Sequence, residues 1–412
     1  MGSTPGLIVE FEAAIRIVLD YATAAVQRHE QPIERVSLLE SRGRVLAEDI
    51  VADRDQPGFD RSTRDGFAVR TTNWLPGACL TVVGQVRAGE VWTGSALADG
   101  DAIQIMTGAP LPGGADAVVM VEHVVQQAGQ ISPAGARVIT AEENIVPRGA
   151  EAHLGEVVLP VGTLLGAAGI ALAATCGYPT LSVRARPRVA VVSTGDELVE
   201  IDQQPAEQQI RNSNSYAIAA MVVAAGGVPE ILPVARDRRE EISERIARGR
   251  LAGMLVLSGG VSMGEYDLVE EVLTEFGAEF FFTGVKMQPG KPVVFGRLPP
   301  RNHAPECFFF GLPGNPVSTQ VTFHCFAELF LRLLAGETVA GPRWAQATLG
   351  EKVSGKPGIT RLLPARMDGV TVKLTGWQGS GDLAANARAN CYAELLPGRS
   401  YAADALIRVL LR

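Results

Sequence analysis

Three glycine-rich runs carry the residues most able to do chemistry. They are Ser193-Thr194-Gly195-Asp196-Glu197-Leu198, Ser258-Gly259-Gly260-Val261-Ser262-Met263-Gly264-Glu265-Tyr266-Asp267 and Gly311-Leu312-Pro313-Gly314-Asn315-Pro316. The first two follow short apolar runs and the third follows residues 307–310, so each is expected to leave the carboxyl end of a buried strand. At that edge of an open parallel sheet ligands bind, and glycine lets backbone N–H groups approach phosphate oxygens. Asp196, Glu197 and Asp267 stand in the same loops, and acid beside a phosphate cradle points to a bridging divalent cation. The expected chemistry is that of an enzyme binding a phosphorylated small molecule with magnesium.

Such loops need a scaffold, and residues 187–335 alternate as strands and helices. Residues 189–192, 230–234, 254–257 and 308–310 are predicted strands; 215–225, 240–250, 268–276 and 316–334 are predicted helices. Ser213 or Asn214 can cap the first helix and Gly226-Gly227 can stop it. This alternation predicts a parallel three-layer α/β sheet. Upstream, Phe11, Ala14, Ile15, Val18, Leu19 and Ala22 predict an amphipathic helix over 9–28, and 38–51 repeats the pattern more briefly. Short β-rich runs at 80–86, 102–106 and 117–121 alternate with Gly- and Pro-rich turns. Residues 151–183 return to a buried strand and a buried helix, expected to pack with the N-terminal helices, so the β module reads as an insertion. The expected units are 7–52 with 144–186, a β-rich insertion at 53–143, the α/β domain at 187–335 and a C-terminal β-barrel or sandwich at 336–412.

Composition narrows the partners. Lys plus Arg number 37 against 45 Asp plus Glu, a net charge of −8. With no long basic stripe, nucleic acid is not an expected partner. Cys79, Cys176, Cys307, Cys325 and Cys391 are scattered, as expected of buried reduced thiols in a cytoplasmic protein. Residues 157–183 carry no charge, yet Pro160, Gly162, Gly166, Gly169, Gly177 and Pro179 interrupt them, leaving too short a helix to cross a bilayer. No basic region precedes an apolar stretch at the N-terminus, so no export signal is expected, and residues 1–6 read as a flexible start. His29, His123, His153, His303 and His324 show no metal-ligand spacing. Neither a GxSxG elbow nor a Walker loop occurs.

The motifs together resemble the MoeA/gephyrin E-domain family, the molybdopterin molybdenumtransferases. The resemblance covers nearly the whole chain. Residues 57–69, with Asp60-Arg61-Ser62-Thr63-Arg64-Asp65-Gly66 at their centre, look like the family's opening signature, and Ile105-Met106-Thr107-Gly108-Ala109-Pro110 matches its next one. The run 193–198, Asn212-Ser213-Asn214, the run 259–267, Gln288-Pro289-Gly290-Lys291-Pro292, residues 311–318 and Gly379-Ser380-Gly381-Asp382-Leu383 follow in family order. The resemblance implies an elongated homodimer of four-domain protomers: a helical linker domain, an inserted β domain, a molybdopterin-binding α/β domain and a C-terminal β domain. It implies a reaction in which adenylylated molybdopterin and molybdate give molybdenum cofactor and AMP with magnesium. It also implies a cleft where the α/β and C-terminal domains of one protomer face the Asp60/Thr107 region of the other. The upstream molybdopterin adenylyltransferase is a further implied partner.

Within that resemblance Asp196, Glu197, Asp237 and Asp267 are the candidate metal ligands or water-positioning bases. Lys291, Ser262 and the N–H groups of Gly259, Gly260 and Gly264 can hold phosphates. Ser193, Thr194, Gly195, Asn214, Lys286, Pro289, Gly290, Pro313, Gly314, Asn315, Ser318 and Ser380 complete the implied substrate contacts. Asp60, Asp65 and Thr107 are the implied catalytic residues of the other face, with Arg61 and Arg64 suited to receiving an oxyanion. Plainer uses exist for each. Asp65-Gly66 is a common turn pair, and Asp196 and Glu197 could decorate a helix N-terminus. Asp237 could pair with Arg236, Arg238 or Arg239, and Asp267 could cap a helix. The family's opening signature usually reads Asp-Asn-Ser-Ala-Met-Asp-Gly, so Arg61, Thr63 and Arg64 are departures. Val146, Glu151 and Gln288 depart likewise from the usual arginine, aspartate and lysine. Two alternatives stay open at this stage: a molybdopterin adenylyltransferase, from the α/β domain alone, and a non-catalytic scaffold of the gephyrin type.

Overall fold

The structure, a computed structural model, describes residues 7–28, 31–260, 268–301, 304–338 and 340–412. The expected flexible start at 1–6 therefore lies outside the described residues, as do Ser262, Gly264 and Asp267.

The α/β unit is built on a six-stranded sheet in the spatial order Val228–Ile231, Arg188–Ser193, Met254–Ser258, Cys307–Leu312, Val294–Leu298, Glu279–Phe282. The first four strands run parallel, as the βα alternation requires. The sequence did not foretell Val294–Leu298, which returns antiparallel beside Cys307–Leu312, or the edge strand paired to it. Met254–Ser258 and Cys307–Leu312 are buried along their whole length, the pattern of strands covered on both faces. Helices Asn214–Ala224, Arg239–Gly249 and Leu268–Glu275 flank them. The predicted helix over 316–334 runs from Pro316–Thr322 through a π-helical turn at Phe323–Ala327 into Glu328–Leu334, and nearly all of it is buried.

The N-terminal helix, Phe11–Arg28, belongs to this unit. Its apolar stripe (Phe11, Ala14, Ile15, Val18, Ala22, Ala25) is buried in the α/β core. Phe11 meets Phe326 edge-on at 6.0 Å, and Tyr21 stacks on Phe281 at 3.6 Å. The expectation that 151–183 packs with both N-terminal segments is corrected for this helix and holds for 38–51, whose Leu46 and Ile50 share a core with Leu165, Ala173 and Leu181 of 151–183. That segment pairs strand with strand, Thr180–Arg184 on Ile33–Ser37 and Val157–Leu159 on Ile50–Val51. The second predicted helix, 38–51, is also corrected. Ser37 donates to Glu40 through both its N–H and its hydroxyl, and Ser41 Oγ donates to the Leu38 carbonyl. These local bonds close a turn in place of a helix, so little of the expected helical linker is helical. The helix Ala167–Thr175 forms as expected but buries only Ala173, correcting the expectation of a buried helix.

The insertion is a six-stranded sheet in the order Ala117–Met120, Gly66–Val69, Asp101–Ile105, Leu80–Val86, Gln130–Pro133, Val124–Gln127. At the C-terminus, Trp344–Leu349, Thr360–Asp368, Thr371–Leu374, Cys391–Leu395 and Leu406–Leu411 pair in a closed five-strand barrel. Met287–Gln288 of the α/β unit adds onto the strand that begins at Thr360. Four cysteines are buried and free, but Cys79 is exposed, a correction for that residue.

Candidate functional site

Strand register brings the three glycine-rich loops together. Ser193 is level with Ser258, and Ser258 with Leu312, so the loops leave the sheet side by side at its carboxyl edge. Between them lies a cleft of about 370 Å³ lined by Thr194, Glu197, Asn214, Gly259, Gly314 and Asn315, among others. Only glycine fits at 259: φ is +90°, and a Cβ there would stand 2.4 Å from the Thr194 carbonyl oxygen. Gly314 lies directly across from it, where a Cβ would be 3.5 Å from the Gly259 Cα.

Asn214 locks this convergence. Its Nδ2 donates to Ser258 Oγ at 2.9 Å and to the Gly314 carbonyl at 2.8 Å, tying the second and third loops to the helix it opens. The side chain therefore does not cap its helix, and neither does that of Ser213, a correction to the capping expectation. Below it, Ser193 and Ser215 hydroxyls share a 2.8 Å hydrogen bond, and Asn212 Nδ2 donates to Ser215 Oγ at 3.0 Å. The roles of Asn212 and Ser215 were not foreseen, although an Asn-Ser-Asn-Ser run beside a strand edge is a usable signal. Thr194 is 3% exposed, and its hydroxyl has no partner among the described residues. That hydroxyl faces Gly260, where a Cβ would approach it to 2.7 Å.

Glu197 lines the cleft, and Asp196 and Asp237 are its carboxylate neighbours. The Asp237 N–H donates to Asp196 Oδ1 at 3.3 Å. The Asp237 carboxyl is pushed above its ordinary range, by partial burial first and then by the negative charges of Asp196 and Glu197. Arginines do not relieve it. Arg236 donates to the Asp196 and Leu198 carbonyls, Arg238 pairs with Glu241, and Arg239 pairs with Glu271 and Glu275. The surface ion pair expected as the alternative for Asp237 is therefore not made among the described residues. No three His, Cys, Asp or Glu side chains converge as a metal cage among the described residues. Magnesium needs no such cage, since it commonly takes one or two carboxylates with water and substrate phosphate oxygens. The crowded Asp196–Asp237 pair fits that donor set.

A second constellation lies in the insertion. Gly66 opens the strand Gly66–Val69, and a Cβ there would fall 1.9 Å from the Val119 carbonyl oxygen. Close strand packing, rather than a turn, requires this glycine. It sets Asp65 against the 106–109 turn, where Asp65 Oδ1 accepts from Thr107 N–H at 2.7 Å and Thr107 Oγ1 at 2.9 Å. These two bonds, the backbone one first, hold the Asp65 carboxyl below its ordinary range. Asp60 Oδ1 accepts from the Arg148 N–H at 2.7 Å, and Arg148 Nε donates to Asp55 at 2.7 Å. Arg148 was missed as a partner, though it stands between the two departures Val146 and Glu151. Arg61 is engaged by Glu151 at 2.6 Å, so two departures from the family signature face each other. Arg64 is exposed, and its guanidinium has no hydrogen bond or ion pair among the described residues. No hydrogen bond or ion pair among the described residues joins this constellation to the glycine cleft.

The other candidates spread around the cleft. Pro292 lines it and brings the 288–292 loop to its rim. Lys291 is exposed, whereas Pro289 and Gly290 are buried. Lys286 is held by Glu10. Ser318 is buried in the helix behind Asn315, and the Ser380 carbonyl accepts from Val317 N–H at 2.9 Å, which docks the C-terminal unit on that helix.

Comparison with known proteins agrees along the chain. Residues 9–177 match the MoeA N-terminal region (domain I and II), 190–333 a probable molybdopterin binding domain and 346–411 the MoeA C-terminal region (domain IV). A molybdopterin molybdenumtransferase of Staphylococcus aureus is 33% identical over 385 residues, 91% of this chain and 89% of that relative. One from Nostoc is 36% identical over 316 residues, 74% of this chain and 70% of the relative. The molybdopterin biosynthesis MoeA protein of Pyrococcus horikoshii superposes with a TM-score of 0.77 at 27% identity, covering 98% of this chain and 100% of that one.

Proposed function

The chain belongs to the MoeA family of molybdopterin molybdenumtransferases, and we propose that it inserts molybdate into adenylylated molybdopterin, releasing AMP and forming molybdenum cofactor. It is a transferase of molybdenum cofactor biosynthesis. The observation that carries the finer reading is the convergence of three glycine loops at the carboxyl edge of the sheet, two of them held by Asn214. That cleft offers a phosphorylated ligand the N–H groups of Gly314 and Asn315, which meet no carbonyl among the described residues, whereas those of Thr194, Gly195 and Gly259 already donate to Ser258, Ala235 and Leu312, a correction for Gly259 as a phosphate donor.

The chain's own residues divide the work. Asn214 holds the loops around Gly259 and Gly314 at a fixed separation, so the pterin phosphates meet a formed cradle. Asp196 and Asp237, with Glu197 beside them, are the residues that would hold magnesium. Bound there, magnesium supplies charge neutralisation for the pyrophosphate. Asp65, kept ionised by Thr107, and Asp60, held by the Arg148 N–H, present a fixed acidic pair to the reacting groups, while exposed Arg64 offers paired donors to the oxyanion.

Asp60 and Asp65 reach the cleft in this reading only across a homodimer. Two observations support it: the absence of hydrogen bonds between the two constellations among the described residues, and the largely exposed apolar helix Ala167–Thr175. The free cysteines support a cytoplasmic setting, where an upstream adenylyltransferase would supply the substrate. Neither alternative is favoured, since an adenylyltransferase or a pure scaffold leaves the match over all three regions without a use. The test is AMP release from adenylylated molybdopterin on adding molybdate. AMP and cofactor should appear together and only with molybdate, and no release with intact substrate and protein would refute the proposal.

A further inference from the structure

The α/β sheet has a second concavity at the edge opposite the glycine cleft. Arg188, Met254 and Phe308 lie at the starts of the strands whose far ends carry Ser193, Ser258 and Leu312. Strand geometry puts roughly 15 Å between the two sites. Ala25 and Val26 of the N-terminal helix, Phe308 and Leu334 help wall a cavity of about 360 Å³, within the size range of small-molecule sites.

Among the described residues its side walls are apolar apart from Gln31, Arg186, Arg188 and Glu306. Three of these four are occupied. The Gln31 amide donates to the Leu333 and Leu334 carbonyls at 3.2 and 3.1 Å. Arg188 pairs with Glu230 at 2.8 Å. Glu306 pairs with Arg297 at 2.8 Å and Arg28 at 3.4 Å. Arg186 is half-buried, makes no hydrogen bond or ion pair among the described residues, and its Nε is shielded from water without a partner. A guanidinium against an apolar wall gives up hydration and regains nothing unless an anion pairs with it, and its planar fork matches a carboxylate.

We propose that this cavity binds a small organic monocarboxylate, its apolar body between Val26 and Phe308 and its carboxylate on Arg186. Pro32 and Pro187, also on the wall, stand in the two connections between the α/β unit and the strand-paired unit before it. A ligand here would brace that joint, far from the carboxylates of the cleft.

Benzoate, its neutral isostere benzamide and inorganic phosphate are suitable probes for the full chain, followed by calorimetry and ligand-observed NMR. Benzoate should bind at least about tenfold more tightly than benzamide, the worth of one charge-assisted contact. Phosphate, with charge but no apolar body, should bind more weakly than benzoate. Arg186→Met keeps the stem and should bring benzoate down to benzamide, while Val26→Trp should fill the cavity and abolish both. Arg186→Met should not lower the melting temperature of the unliganded protein, because it removes an unpaired charge. Equal binding of benzoate and benzamide, benzoate binding unaltered by Arg186→Met, or no binding at millimolar benzoate would overturn the proposal.

Discussion

Replacing Asn214 by alanine should damage both stability and substrate binding, because one amide holds two loops. Two hydrogen bonds are lost, at 2.9 and 2.8 Å. Ser258 is 2% exposed, so its hydroxyl loses a donor that water does not replace, whereas Gly314 is exposed and its carbonyl can be rehydrated. At about 0.5–1.5 kcal/mol for a bond that rehydrates and about 1–3 for a buried group left unpaired, the loss is about 1.5–4.5 kcal/mol. For a unit of this size that corresponds to a fall of about 3–18 °C in melting temperature. Asn214→Asp should be worse still at neutral pH, since it sets a carboxylate against the Gly314 carbonyl. The folded-state pKa of the new carboxyl would be raised, so the charge's share of the penalty should vanish as pH falls into the carboxylate range, while one hydrogen bond stays lost because a carboxyl has a single O–H. Calorimetric melting measures the first effect, and KM for adenylylated molybdopterin in the AMP-release assay measures the second. An alanine variant that melts within about 1 °C of wild type, well under the fall of about 3 °C that the two bonds require at least, with KM unchanged, would refute the account of Asn214 as the lock of the cleft.

Asp237→Asn should lose turnover yet gain stability at neutral pH. The folded pKa of Asp237 is raised, so wild-type stability is fullest below the ordinary carboxylate pKa and is lost as pH rises through the folded value. The melting difference between variant and wild type should thus be near zero in acid and grow toward neutrality, staying within about 1 kcal/mol at this solvent-screened site. Arg64→Ala should raise the molybdate needed for half-saturation while pterin affinity stays near wild type, with Arg64→Lys restoring only part; Arg61→Ala should shift it less, because Glu151 already engages Arg61. A molybdate titration at saturating pterin, repeated with tungstate, decides this, and unchanged half-saturation in Arg64→Ala would reduce that arginine to loop decoration. Asp60→Ala mixed with Glu197→Gln should regain partial activity after subunit exchange if the cleft is shared, and a mixture no better than either variant would mean each protomer carries a complete site.

The glycine loops were legible because chain order and strand pattern coincide there. An apolar run ending in Thr-Gly-Asp-Glu or Ser-Gly-Gly fixes both a strand end and a loop that only glycine can thread, and parallel register then places those ends side by side. The N-terminal helix was legible for the same kind of reason, as its apolar stripe repeats every third or fourth residue. Its address was not, since a stripe says that a face is buried but not against what. Packing on the Phe-rich α/β core decided that. The turn at 38–43 escaped because side-chain bonds from Ser37 and Ser41 outcompeted a weak helical pattern. Composition likewise could not reveal that Ala167–Thr175 presents its apolar side chains outward. Among the carboxylates, residue type alone marked Asp65, Asp196 and Asp237 as candidates. Only the fold decided that Thr107 holds Asp65 ionised while Asp196 and Glu197 crowd Asp237, because a carboxyl takes its proton affinity from neighbours distant in the chain.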